Sequence, residues 1–489
     1  MSDVLLVYPP YRGDMKSPPL GLAYISAALE QGGFSVEIYD MNVLNATVPQ
    51  FLNHARRTRP KLVGISFMTP QVRIADDIAR GIKSIDRTVS VVVGGPHVSA
   101  IPEEVLQEQA IDFAVIGEGE MTMRELAHAL LCDVKMLREI NGLAFRENGE
   151  VIVNPSRPLI VDLDSLPLPA WHLLPVERYS VRGFGGDINE PTFAILSSRG
   201  CPNECIFCDS HTIFGRRFRG RSARHIFSEI VFLNKKYGAK QFDFVDDTVT
   251  IDKKRLVELC KLILDNRIVI RWMCNARVNT VDYELLKVMK EAGCVRVDFG
   301  VESGDPDVLR IMKKRITLEQ IRNAHLWAKQ VGLTTLSFFM VGNPGETWKS
   351  VNRTVKLAQE IKSDIPCVGI ATPYPGSELY QIANQHGWIL DHDWSRYTPS
   401  AYQDKEFQPV MCTGTMTREE ILKAYYFLNA RFARSKYQVE YGKAFYLNPM
   451  FYRQKVFGGG GLSEIPRLVK VAMNMMRGML MRPPGTREG

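Results

Sequence analysis

The chain has 489 residues, 45% hydrophobic and 24% charged, with a formal net charge of +7. At roughly 100–200 residues per domain this is enough for two large domains and an appendage, and the apolar fraction excludes a disordered or fibrous chain. So mild a positive balance gives no argument for a nucleic-acid partner, and nine cysteines in so long a chain do not make a disulfide framework. No run approaches the eighteen-odd apolar residues of a transmembrane helix. Met1-Ser2-Asp3 leads into an apolar stretch at 4–7 with no basic region, so no signal peptide is expected and the expected location is cytoplasmic.

Residues 1–131 alternate short apolar runs with helical patterns. The runs at 4–7, 36–39, 62–67, 89–93 and 113–116 are flanked by Gly, Pro or Asp, as strands buried on both faces of a parallel sheet are. Helical patterns occupy 20–31, 49–58, 71–85, 102–109 and 121–131. The alternation predicts a doubly wound, Rossmann-like or flavodoxin-like α/β domain that binds its ligand at the carboxyl ends of the strands. The loops there are Tyr8-Pro9-Pro10-Tyr11-Arg12-Gly13, Ser66-Phe67-Met68, Gly94-Gly95-Pro96-His97 and Gly117-Glu118-Gly119-Glu120. Their glycines let a bulky ligand come close to the backbone. His97 alone reads as a loop hydrogen-bonder rather than a metal ligand.

From 132 to 190 the periodicity fades, and Pro155, Pro158, Pro167, Pro169 and Pro175 punctuate a polar stretch with a small hairpin expected around Asn148-Gly149. Leu166, Leu168, Trp171, Leu173 and Leu174 would be costly to leave in water, so this linker is expected to pack along both domains.

A second series of strands and helices fills 191–400. Strands are expected at 193–198, 241–245, 270–274, 295–301, 334–341 and 368–372, and helices at 222–236, 253–265, 283–292, 317–331, 350–362 and 378–386. Six units suit a partial (β/α)6 barrel, whose chemistry sits at the carboxyl ends of its strands. Polar residues gather there: Asp246-Asp247-Thr248, Asn275-Ala276-Arg277, Glu302-Ser303-Gly304, Gly342-Asn343-Pro344-Gly345-Glu346 and Thr372 to Gly376. A single Asp after a strand is usually a helix cap; successive polar ends on one rim ask for more than capping.

After the first of these strands comes Cys201-Pro202-Asn203-Glu204-Cys205-Ile206-Phe207-Cys208. Thiolates are soft ligands that hold iron–sulfur clusters, and a four-iron cluster with three cysteines keeps one iron open to a non-protein ligand. A zinc site would use C-x2-C pairs, and no second pair is present. The other cysteines, Cys132, Cys260, Cys274, Cys294, Cys367 and Cys412, fall mostly within helix or strand patterns as small hydrophobes. Arg216-Arg217-Phe218-Arg219-Gly220-Arg221 follows the loop; it is either a solvated surface or a cradle for an anionic substrate or cofactor phosphate.

The C-x3-C-x2-C run resembles the signature of the radical S-adenosylmethionine (SAM) superfamily, and residues 1–131 resemble a cobalamin-binding domain through Ser66-Phe67-Met68 and Gly94-Gly95. Pro9-Pro10 and Gly94 to His97 look like those of cobalamin-binding radical SAM proteins. The histidine-bearing element after the first strand is missing: the loop from Tyr8 to Gly21 holds no histidine. The resemblance implies a four-iron four-sulfur cluster on Cys201, Cys205 and Cys208, with SAM chelating the open iron. It also places Asp246 at the SAM amino group, Glu302 and Ser303 near the ribose and carboxylate, and Phe207 near adenine, with Arg277 as the cation for the carboxylate. Cobalamin is implied at Tyr8, Pro9, Ser66, Gly94, Gly95, His97, Gly117 and Glu118.

The implied activity is reductive cleavage of SAM to a 5′-deoxyadenosyl radical, most commonly for methylation of an unactivated carbon of a small molecule. Ring closure, oxygenation, rearrangement, or radical chemistry beside an empty first domain are the alternatives. An electron donor such as flavodoxin or ferredoxin is the implied partner. The C-terminal extension, 401–489, holds a Thr-capped helical pattern at 417–436, a Gly458 to Gly461 joint, and a basic, Met-rich pattern at 465–482. The last suits a membrane surface, a hydrophobic partner or docking on the barrel. That segment leans the substrate reading toward a small hydrophobic metabolite such as a lipid, terpenoid or tetrapyrrole.

Overall fold

The computed structural model describes residues 2–11, 16–132, 137–180, 190–400 and 407–441, with the backbone alone for 434–441. In the first domain β1 (Val4–Tyr8), β2 (Val36–Asp40), β3 (Leu62–Ser66), β4 (Ser90–Gly94) and β5 (Phe113–Val115) run parallel, and β6 (Leu143–Glu147) and β7 (Glu150–Val153) continue the sheet antiparallel, in the order β2-β1-β3-β4-β5-β6-β7. Burial alternates with the pleat. Val4 and Leu6 of β1 join one core with the helices Leu20–Gln31 and Gly119–Leu131, while Leu5 and Val7 join the opposite core with Val48–Thr58 and Val72–Ile85. Each fully buried Val or Leu contributes roughly 1.5–3 kcal/mol, which is why unbroken apolar runs make the central strands.

Two expectations change here. The helix expected at 102–109 covers only Pro102–Val105, and a separate short helix, Pro96–Ala100, precedes it; Pro102 holds Ile101 between them out of the helical region (φ −140°, ψ 57°). The first sheet also runs past residue 131. The hairpin does form at Asn148-Gly149, both with positive φ (51° and 88°) as a two-residue turn requires, but it pairs with β5 instead of standing free in a linker. Of the linker residues expected to be covered, Trp171 and Leu174 are buried in the core that also holds Phe193 of the second domain and Leu173 packs against it, Leu166 and Leu168 are half-buried, and the Trp171 indole donates to Glu229.

In the second domain β8 (Thr192–Ile195), β11 (Gln241–Phe244), β12 (Arg271–Ala276), β13 (Cys294–Glu302), β14 (Thr334–Val341) and β15 (Ile365–Ile370) form a parallel sheet in sequential order. Sequential order is that of an open barrel, the two end strands β8 and β15 being unpaired with each other among the described residues. Two short strands, β9 (Ser198–Arg199) and β10 (Arg219–Gly220), pair antiparallel; they close the base of the loop that carries the cysteines. The helix Arg418–Tyr441 starts as expected from a Thr417 cap, whose Oγ1 accepts from Glu420 N while its N–H donates to the Glu420 carboxylate, and packs Phe432 on Phe339 of β14. Among the described residues no helix is long and apolar enough to cross a membrane. The pattern at 465–482 lies outside the described residues.

Candidate functional site: two cavities divided by the cysteine loop

The loop begins at Gly200, whose φ of +82° and whose missing Cβ, which would overlap the Arg217 carbonyl oxygen, make any other residue strained there. Cys201, Cys205 and Cys208 then line one cavity of about 210 Å³ at the barrel mouth. Each sulfur has a polar neighbour: the Asn203 amide donates to Cys201 Sγ (3.2 Å), Arg277 to Cys205 Sγ (3.6 Å), and Cys208 Sγ lies 3.4 Å from Ser210 Oγ. Burial pushes the Cys208 thiol up to about 11, so it stays protonated until a metal takes the proton's place. No three His, Cys, Asp or Glu side chains among the described residues converge on a point suited to a single ion. A four-iron cluster puts each thiolate on a different iron, so three spread sulfurs around one cavity fit a cluster better than zinc.

The other expected SAM residues divide. Phe207, Arg277 and Glu302 line the cysteine cavity. Arg277 also anchors to the Lys314 carbonyl. Glu302, with φ of +64°, accepts from Lys314 Nζ at 2.6 Å, and that ammonium lies 5.6 Å from the Phe207 ring centroid. Asp246 and Ser303 do not line it. Asp246 is fully buried and accepts from Ser197 N (3.1 Å), Ser197 Oγ (2.8 Å) and Ser198 Oγ, so its carboxylate ties β8 to the loop base. The carboxylate at the cavity is its neighbour, Asp247. Ser303 is fully buried and its hydroxyl is taken up by local structure, Oγ accepting from Asp305 N at 3.1 Å. Asp298 and Asn275, one from β13 and one from β12, complete the polar wall.

A second cavity of about 340 Å³ lies between the carboxyl ends of the first sheet and the barrel. Ser66, Gly94, Gly95, Gly117 and Glu118 line it from one side, Leu196, Arg199, Phe214 and Val245 from the other. Added methyl groups at Gly21 or Gly117 would stand in its open space, nothing lying within 3.7 Å of either. At Gly95 (φ +111°) a Cβ would press on the Phe67 carbonyl at 2.5 Å. This is a cradle for a large, mostly apolar ligand with polar edges, and the residues fit cobalamin. Tyr8 and Pro9 are not in its lining; the Pro9 carbonyl accepts from Gln71 Nε2 (2.8 Å). His97 is buried away from it, with Nδ1 3.2 Å from Thr69 Oγ1 and its ring between Phe67 and Trp394. No histidine is among the described residues that line the cavity.

Glu118 lines the cavity, yet its carboxylate is occupied by Arg199 Nη1 (2.8 Å), Arg219 Nη1 (2.9 and 3.0 Å) and Ile160 N (2.8 Å). Glu120 takes Arg199 Nη2 at 2.5 Å. The basic cluster therefore splits: Arg216 and Arg217 are exposed, whereas Arg219 is buried against Glu118 and Arg221 against Glu229. Arg199 is absent from the sequence expectation because nothing local marks it, and Arg219 and Glu120 stand there only as members of a basic cluster and a strand-end loop; the partners of each sit in the other domain.

Residues 14–127 match the B12 binding domain family and residues 195–358 the Radical SAM superfamily. The chain is 37% identical over 427 residues to an uncharacterised methyltransferase of Pyrococcus horikoshii, covering 86% of this chain and 90% of that one. It is 28% identical to the anaerobic magnesium-protoporphyrin IX monomethyl ester cyclase of Rubrivivax gelatinosus, covering 90% and 78%. The fold is that of the radical SAM methyltransferase TsrM from Kitasatospora setae, solved with cobalamin and a [4Fe-4S] cluster: TM-score 0.69, 18% identity, covering 98% of this chain and 99% of that one. The chain belongs to the cobalamin-binding radical SAM family. It is a radical SAM enzyme whose cofactors are a four-iron four-sulfur cluster, SAM and cobalamin.

Proposed function

We propose that the enzyme methylates an unactivated carbon of a small molecule. One observation carries this reading: the short helix His211–Phe214, directly after the last cysteine, faces both cavities, with His211 on the cysteine side and Ile213 and Phe214 on the interdomain side. When bound, the cluster supplies the electron that splits SAM into methionine and a 5′-deoxyadenosyl radical, and cobalamin supplies a transferable methyl group. The chain's own residues hold these groups on either side of one thin wall and keep water out, which is what radical chemistry at a single C–H bond needs. Phe207 and Arg277 orient SAM against the loop, Glu302 and Asp247 accept from its amino and hydroxyl groups, and Ser66, Gly94, Gly95 and Gly117 give backbone room to the cobalamin.

The substrate belongs to the small-molecule class and reaches the gap between the cavities. A flavodoxin or ferredoxin is the electron donor in this reading, and the cytoplasm the compartment where an open iron survives. Protein reconstituted anaerobically with iron, sulfide and hydroxocobalamin and supplied with a low-potential reductant should release 5′-deoxyadenosine from SAM and move a labelled methyl group from SAM onto the reduced cobalamin. Cleavage of SAM with no label on the cobalamin would instead support ring closure, the reaction named for the Rubrivivax relative.

A further inference from the structure

Both ends of the cysteine loop are held by carboxylates of the other domain, and they share Glu118. Arg199 and Arg219 face each other across the β9–β10 pair, and residues 200–218 hang between them. Arg199 reaches Glu118 and Glu120 at once; Arg219 reaches Glu118. All four side chains are 3–5% exposed, and two guanidiniums balance two carboxylates, so no member is spare. Glu118 and Glu120 open the helix Gly119–Leu131 straight after β5, and they line the interdomain cavity together with Arg199. The Arg199 guanidinium also lies 5.3 Å from the Tyr24 ring and 5.5 Å from the Phe214 ring, both of them lining residues. Glu120 Oε2 and Arg219 Nε are buried without hydrogen-bond partners, so the network keeps one unused acceptor and one unused donor at a cost in stability.

We propose that Arg199 is a positioning residue that couples occupancy of the interdomain cavity to the geometry of the cysteine loop. The inference rests on the reading that this cavity takes cobalamin, which would pack against the Tyr24 and Phe214 rings that flank the Arg199 guanidinium. A ligand that settles those two rings settles the rigid fork of Arg199 between them and Glu120, and Arg199 is two residues from Cys201. Coupling of this kind is reciprocal: cobalamin tightens the cluster's seat, and the cluster tightens cobalamin.

The test uses the full chain and hydroxocobalamin. Its dissociation constant is measured anaerobically on cluster-loaded and cluster-free protein. The wild type is expected to bind it about tenfold more tightly with the cluster in place. Glu120→Gln, which keeps the shape, and Arg199→Lys, which keeps the charge but not the fork, should each bind both cofactors separately while the ratio falls toward one. A wild-type ratio near one overturns the proposal, as does an unchanged ratio in both variants. So does insoluble Glu120→Gln protein, which would make the network purely structural. Wild type that retains no cobalamin under either condition removes the cofactor reading and this inference with it, whereas an unmoved ratio removes the inference alone.

Discussion

Glu302 Oε1 and Lys314 Nζ meet at 2.6 Å with both side chains 7% exposed, at the rim of the cysteine cavity. Glu302 does so from a left-handed backbone conformation (φ +64°) at a bulge in β13, which a residue without a fixed role rarely keeps. Glu302→Gln should therefore cost about 3–5 kcal/mol by leaving a buried ammonium unpaired, together with weaker SAM binding. Adding Lys314→Met should restore most of the stability and none of the SAM affinity. Urea unfolding and SAM titration separate the two effects; affinity recovering with stability would show that Glu302 does not touch SAM.

Replacing Cys201, Cys205 and Cys208 by Ala should abolish iron binding and SAM cleavage while the fold survives. The loop's seat depends on Gly200, Arg199 and Arg219, not on the sulfurs. Iron content, circular dichroism and 5′-deoxyadenosine release check this, and residual SAM cleavage would remove the central claim.

Adjacent aspartates should behave oppositely. Asp246→Ala strips the acceptor from two serine hydroxyls and one backbone amide, a loss of about 1–3 kcal/mol that also loosens the cluster. Asp247→Ala should leave the melting temperature near wild type and lower SAM affinity. The reverse pattern in melting curves would mean that Asp246 faces the ligand.

His97 gives a pH signature. Burial lowers its pKa from 6.5 to about 4, so the unfolded chain binds more protons between those values and His97's contribution drains away as pH falls from 6.5 to 4. Acids raised to about 7 by burial, Asp243 and Glu346, pull the other way and cancel in a difference. The stability gap between wild type and His97→Asn should shrink by about 3 kcal/mol over that range. A constant gap in urea midpoints at several pH values would show the imidazole titrating normally.

Bound cobalamin should take no histidine nitrogen of this chain on its cobalt. The loop from Tyr8 to Gly21 has no histidine, and His97 is held by Thr69 outside the cavity. Electron paramagnetic resonance of the cob(II)alamin form should be the same for unlabelled and 15N-labelled protein; a labelling-dependent change in nitrogen superhyperfine splitting would contradict the placement.

Much of the framework was readable from periodicity. The strand at 334–341 and the helix at 253–265 appear with the same bounds, Thr334–Val341 and Lys253–Asp265, because long runs of one period leave little choice. The cysteine loop was readable because metal ligation fixes residue type and spacing together. Which of Asp246 and Asp247 faces the cavity was not, since one step at a strand end reverses the side chain's direction. Arg199's partners were not either: they lie 81 and 79 residues away, and no local pattern encodes a contact of that separation.

The antiparallel β6–β7 hairpin has a practical reach beyond the fold. It hides the edge of β5, and Arg146 from β6 reaches back to the carbonyls of Leu106, Glu108, Gln109 and Ile111. A fragment cut at residue 131 would present β5 as a naked strand ready to recruit another copy. Anyone dissecting the cobalamin half must keep the chain through Val153, so the two halves are separable only at a point well inside what sequence alone marks as a connector.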